Sequence, residues 1–226
     1  RSPETILKYA RQDVRFLRTF DLKAILIACG TVTTTSLPQL RQENDLPIVG
    51  VVEPSCRAAL AATKNGRIGM IATQASVRSG AYERTLRALD PAVTVIQKAC
   101  PLFVPLAEEG RTRPGDPVIE TVAEEYLASL REEGIDTLIL GCTHYPLLKD
   151  VIANVMGPGV ALIDSGEESA KELQRLLTAS DSLGEPQGGG AIYCVSDRVE
   201  DFQRLASRFL GEDVAGAARR VEVEDV

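Results

Sequence analysis

Two short runs carry the residue types that move protons, Cys29-Gly30-Thr31 and Cys142-Thr143-His144. A thiol acts as a base when it is thiolate and as an acid when it is protonated, so surroundings set its role. One such group exchanges a proton at a single face of a carbon. Two, one on each face, invert that carbon: the first removes the proton and the second delivers one to the far side. The planar carbanion between these events needs hydrogen-bond donors on its carboxylate and a pocket that excludes water. Thr31 and Thr143 place hydroxyls beside the thiols, and the run Thr73-Gln74-Ala75-Ser76 offers two more. His144, two residues beyond Cys142, is placed to lower that thiol's pKa or to hand it a proton; a purely structural histidine is the alternative. Cys56, Cys100 and Cys194 have no such neighbours and read as packing residues.

The elements around the two runs repeat. Ser2-Pro3-Glu4-Thr5 is an N-cap with proline at the first helical position, and residues 3–19 put Ile6, Leu7, Ala10, Val14 and Leu17 on one stripe. The apolar run 24–28 follows and ends at Cys29, then a helical stretch, then the run 48–52 ending at Glu53. Asp116-Pro117 starts the same series again. A helix carrying Ile119, Val122, Ala123, Tyr126 and Leu130 leads to the run 137–141 and Cys142, and a further helix to the run 160–163 and Asp164. Cap and cysteine are 27 residues apart in the first copy and 26 in the second; cysteine and acid are 24 and 22 apart. Short apolar strands alternating with helices predict parallel sheets, whose ligands bind beyond the carboxyl ends of the strands. Both cysteines fall there, so the two copies are expected to face each other across a cleft. Glu53 and Asp164 are read either as caps of the next helix or as substrate contacts, with a turn and cap favoured for Asp164-Ser165-Gly166. The second copy is preceded by two more apolar runs, 68–72 and 93–96, and the first by none. Internal symmetry therefore predicts a fold whose first N-terminal strand(s) are missing.

Composition narrows the function classes. In 226 residues, 44% are apolar and 25% charged, the balance of a globular α/β protein large enough for a real core. The net charge of −7 without a basic cluster argues against nucleic acid. A single histidine rules out a multi-histidine metal site, and no phosphate-binding glycine motif suggests a nucleotide cofactor. Five cysteines, an odd number, point to reduced thiols. No run approaches the roughly 20 apolar residues of a membrane span, and no signal peptide opens the chain, so a cytoplasmic protein is expected.

The run Leu138-Ile139-Leu140-Gly141-Cys142-Thr143-His144-Tyr145-Pro146-Leu147-Leu148 resembles the second cysteine motif of bacterial glutamate racemases. The runs 100–110, 162–166 and 71–79, and a closing strand at Ile192–Val195 with a helix around Phe202–Leu210, are similar to further parts of that family. The resemblance implies two pseudo-symmetric α/β domains around a central cleft, expected here at 1–53 plus 163–226 and at 54–162. It implies cofactor-free interconversion of L- and D-glutamate for peptidoglycan synthesis, with no metal and a possible homodimer. Cys142, assisted by His144, would serve the L-glutamate side and Cys29 the D-glutamate side; Gly30, Thr31, Thr73, Ser76 and Thr143 would line the substrate. The family has Asn where this chain has Gly30, and its N-terminal Asp-Ser-Gly and Pro-Tyr-Gly segments have no counterpart in the sequence. A related acidic amino-acid racemase, a thiol nucleophile enzyme using Cys142 and His144, and an inactive relative are the competing readings.

Overall fold

The computed structural model describes residues 2–184, 189–211, 213, 214 and 216–223. Its first helix, α1 (Pro3–Leu17), starts as its cap residues dictate: the Ser2 hydroxyl accepts the Thr5 amide. Ala10 and Val14 are buried, whereas Leu17 is exposed and the helix stops there, two residues short of the periodic stretch. Strand β1 (Ile25–Ile27) leads through Cys29 into α2 (Gly30–Glu43), and β2 (Ile48–Gly50) pairs with β1 in parallel. Leu37 and Leu40 of α2 and Ala10 and Val14 of α1 close over Ile25, Ile27 and Ile48. Although the run 24–28 is apolar throughout, Leu26 is exposed, because alternate side chains point to opposite faces and that cluster covers the face of Ile25 and Ile27.

After α3 (Val52–Ala62), a second parallel sheet is assembled from β3 (Arg67–Ala72), β4 (Thr94–Ala99), β5 (Thr137–Leu140) and β6 (Ala161–Asp164), in the order β4-β3-β5-β6. Between these strands run α4 (Gln74–Ser79) and α5 (Ala81–Leu89), then α6 (Phe103–Glu108) and α7 (Pro117–Glu132), then α8 (Lys149–Met156). The central strands β3 and β5 are buried on both faces, as the middle of a parallel sheet under helical layers must be, while β4 and β6 at the edges are only partly covered. Leu138, Leu140 and Ile71 point into a core with Ile119, Leu127 and Leu148, while Ile139, Met70 and Ala72 point into another with Cys56, Tyr82 and Leu86. Each such side chain, fully removed from water, contributes roughly 1.5–3 kcal/mol. Asp136 pins the turn before β3 to the foot of β5: it accepts the Thr63 hydroxyl at 2.6 Å and the amides of Lys64 and Asn65 at 2.7 and 2.8 Å.

Helix α9 (Ser165–Ala179) then packs on α3, and β7 (Tyr193–Val195), α10 (Val199–Leu210) and β8 (Ala218–Arg220) form a further parallel pair with its crossover helix. The expected duplication is present as α1-β1-α2-β2 and α7-β5-α8-β6, and the fold is the α/β class with parallel sheets that the sequence predicts. The copies differ in one place that matters. Cys29 leads directly into an α-helix, but Cys142 leads into a turn and a four-residue 3₁₀ helix, Tyr145–Leu148, before α8 begins. An α-helix N-terminus therefore lies directly beside Cys29 and not beside Cys142. Among the described residues no helix is long and apolar enough to cross a membrane.

Candidate active site

Cys29 occupies the N-cap of α2 with an exposed side chain that makes no capping bond, so the thiol is not committed to the helix. The first-turn amides of α2 have no intrahelical acceptor and lie beside it, a placement that favours an anion. Gly30 is buried because the two sulfur-bearing segments meet there. A Cβ at Gly30 would lie 2.7 Å from the Gly141 carbonyl oxygen and 3.4 Å from Ser76 Oγ. The residue next to one cysteine thus touches the residue next to the other. Hydroxyls bridge the same seam. Thr73 caps α4 by accepting the Ser76 amide at 3.3 Å and donates to Ser76 Oγ at 3.2 Å, which leaves the Thr31 hydroxyl, at 3.1 Å, to donate to Thr73.

Cys142 follows the end of β5, where the Gly141 amide donates to Ile71 O at 2.8 Å. Its side chain is buried, and burial pushes the thiol up to about 11, against smaller opposing effects of the His144 backbone amide and the Thr143 hydroxyl. The Cys29 sulfur also acts on it, raising it further, as two groups sharing one site do. His144 Nδ1 stands 3.8 Å from Cys142 Sγ and 3.4 Å from the exposed Thr143 hydroxyl. On the other side of the ring, Nε2 lies 3.1 Å from Glu108 Oε1. A carboxylate only accepts, so Nε2 donates its proton to Glu108 and Nδ1 is the nitrogen turned toward the sulfur.

Glu108 is the residue that sequence reasoning passed over. It ends α6, which is held against the Cys142 turn by aromatic packing. The buried Phe103 ring meets Tyr126 and Tyr145 edge to face, at 5.3 and 5.4 Å between centroids, and Tyr145 donates its hydroxyl to Cys100 O at 2.9 Å. The only signal was its place inside the run 100–110; nothing in its spacing from Cys142 points to the imidazole. The remaining sequence candidates sort cleanly. Asp164 caps α9, accepting the amides of Gly166 and Glu167, and Glu53 lies in the first turn of α3 paired with Arg57. Cys56 and Cys100 are core residues whose thiols burial pushes up to about 12, whereas Cys194 is half-exposed and receives Arg219 Nε at 3.5 Å. Among the described residues no cluster of three or more His, Cys, Asp or Glu is placed to hold a metal ion.

A parallel α/β fold with thiols at two matched strand ends is the arrangement expected of an isomerase of the racemase class. The profile of the Asp/Glu/Hydantoin racemase family matches residues 3–173, and the chain belongs to that family. It is 44% identical over 212 residues to the glutamate racemase of Geobacter metallireducens, a match covering 93% of this chain and 78% of that protein. The crystal structure of glutamate racemase isoform RacE1 from Bacillus anthracis superposes with a TM-score of 0.92 at 35% identity, over 98% of this chain and 82% of that one. Glutamate racemase from Francisella tularensis, solved in complex with D-glutamate, gives 0.89 at 31% identity, over 100% and 83%.

Proposed function

We propose that the chain interconverts L- and D-glutamate without a cofactor, with Cys29 and Cys142 as the two proton-transfer groups. The observation that carries this reading is the seam at Gly30 and Gly141, which brings the two cysteine-bearing strand ends together. In one direction a Cys29 thiolate takes the α-proton of D-glutamate, leaving a Cys29 thiol and a planar carbanion. The Cys142 thiol then gives its proton to the opposite face, and L-glutamate forms with Cys142 left as thiolate. The reverse direction runs the same two transfers backwards. Burial keeps Cys142 protonated at neutral pH, the state required of the donor; as a base it needs the His144 lone pair, oriented by Glu108, to take up its proton. Thr31, Thr73, Ser76 and Thr143 supply hydroxyls, and the first turn of α2 supplies amides, for the substrate's carboxylates.

The division into residues 1–53 plus 163–226 and 54–162 puts one cysteine in each half, so that opening and closing of the halves admits substrate; residues 1, 185–188, 212, 215 and 224–226 of it lie outside the described part. A cytoplasmic setting, a role in peptidoglycan precursor supply and a homodimer are likewise proposed. Gly30 favours a second substrate reading, because the family's Asn contributes an amide there that this chain lacks. Circular dichroism on each enantiomer in D₂O, with mass spectrometry of the recovered amino acid, tests the proposal. Both enantiomers are expected to racemise with one α-deuterium gained, and Cys29→Ser and Cys142→Ser each to abolish it. Turnover of aspartate but not glutamate would overturn the substrate, and racemisation surviving Cys29→Ser would overturn the two-thiol mechanism.

A further inference from the structure

The His144–Glu108 pair is gripped from outside by a helix that the mechanism above does not use. The last turn of α10, which belongs to the β7–β8 layer, reaches across to the Cys142 side at two adjacent residues. The Phe209 ring meets the His144 imidazole edge to face, with centroids 5.3 Å apart and planes at 86°. Arg208 Nη1 donates to the backbone carbonyl of Glu108. The guanidinium can lie flat there because the next residues of that loop leave room. Gly110 adopts φ +77, and a Cβ on it would come within 3.3 Å of Arg208 Cζ. Gly211, at φ +70, ends α10 immediately after these two contacts.

We propose that Phe209 and Arg208 are positioning residues for proton transfer at Cys142: Phe209 holds the His144 ring in the plane that points Nδ1 at the sulfur, and Arg208 holds Glu108 where it accepts from Nε2. This rests on the two-thiol reading of the site. The physical case is that the relay is otherwise loosely held. His144 lies on a turn rather than in an α-helix, and its ring is half-buried. The Cys142–His144 separation of 3.8 Å is at the limit for a sulfur hydrogen bond, so a small rotation of the imidazole breaks it. Glu108 is the last residue of a six-residue helix with its side chain 43% exposed, free to leave for solvent unless its backbone is fixed. A perpendicular ring packed against the imidazole restricts its torsion and shields it from water. Arg208 and Phe209 each act through another residue; neither meets the thiol.

The chain contains one histidine, which makes the test direct. Long-range ¹H–¹⁵N spectra give a single imidazole pattern, in which the two nitrogens report the tautomer and its exchange. In the parent chain a fixed Nε2–H pattern is expected. Phe209→Leu keeps apolar bulk without the ring, and is expected to lower kcat about tenfold with KM within twofold while the two nitrogen shifts move toward average values. Phe209→Tyr is expected to restore both, and Arg208→Ala to weaken kcat in the same way. If Phe209→Leu keeps kcat and the parent nitrogen pattern and changes only Tm, the ring is merely a cover and the proposal fails. If the parent chain does not racemise glutamate at all, the functional reading fails alone, because the spectra of the same variants still decide whether α10 holds the relay. Phe209→Leu leaving the nitrogen pattern intact would then sink the positioning role by itself.

Discussion

Gly30→Ala is a one-methyl perturbation whose outcome follows from two opposed numbers. The added Cβ would sit 2.7 Å from Gly141 O, about 0.7 Å inside ordinary van der Waals contact. The obstacle is backbone, not the free end of a side chain, and it has little room to retreat. The Gly141 amide is bonded to Ile71 O at 2.8 Å, and a Cβ on Gly141 would itself fall within 2.9 Å of that oxygen. Overpacking of this kind costs typically 1–3 kcal/mol. Against it, replacing glycine by alanine at the start of α2 recovers up to about 1 kcal/mol of helix propensity. Because the obstacle is backbone, the middle of the first range set against the whole of the second leaves a net loss of roughly 1 kcal/mol, or about 2–4 °C in Tm for a chain of this size. Activity should suffer more than stability. The carbonyl that must move belongs to the peptide joining Gly141 to Cys142, so relief of the clash displaces the second sulfur. A misplacement of about 1 Å can cost about 100-fold in rate, and kcat is expected to drop 10- to 100-fold. Gly30→Asn should behave alike. Gly159→Ala is the matched control, since its Cβ meets nothing within 4 Å. The assays are a thermal melt by circular dichroism and racemisation of both enantiomers. A Gly30→Ala chain that melts no lower than the parent and keeps kcat within twofold would refute the reasoning: the seam would be slack and helix propensity would have prevailed.

Glu108→Gln removes the charge that orients His144 Nε2–H and should lower kcat by about 10- to 100-fold with KM nearly constant; unchanged kcat would remove Glu108 from the relay. The buried thiols predict an alkaline weakness. Cys56 and Cys100 are raised to about 12 and Cys142 to about 11, from an ordinary 9.0. Groups raised on folding lend their full stabilisation below pH 9 and lose it as pH climbs toward 11–12. Urea titrations should show stability falling by about 4 kcal/mol per pH unit above pH 9, with three protons at about 1.4 each, and a flat profile from pH 8 to 10.5 would contradict the burial of these sulfurs. Asp136→Ala frees the turn before β3 and should cost roughly 2–3 kcal/mol, read as a drop in Tm with kcat at 25 °C unchanged; a wild-type melting curve would show the carboxylate to be ornamental.

Local chemistry wrote much of this molecule in advance. Ser2-Pro3 and Asp116-Pro117 start their helices because a side-chain acceptor and a pre-set proline φ act within one turn, whatever the rest of the chain does. The apolar runs at 48–52, 68–72 and 137–141 became strands of parallel sheets because residues buried on both faces have to be apolar throughout, and the run 160–163 became the half-covered edge strand beside them. Repetition of one series of elements was enough to place Cys29 and Cys142 at matched strand ends. Other features depended on distance through space, which spacing along the chain does not encode. Packing in space, with Phe103 set between Tyr126 and Tyr145, brings Glu108 to His144, 36 residues further along the chain. Whether the turn after Cys142 closes as an α-helix or a 3₁₀ helix was settled by the burial of Tyr145 and Leu148 in the core. Gly30 reads in sequence as a lost substrate contact. In the folded chain it is the point where two backbones touch, and any side chain there has to displace the peptide that carries the second thiol.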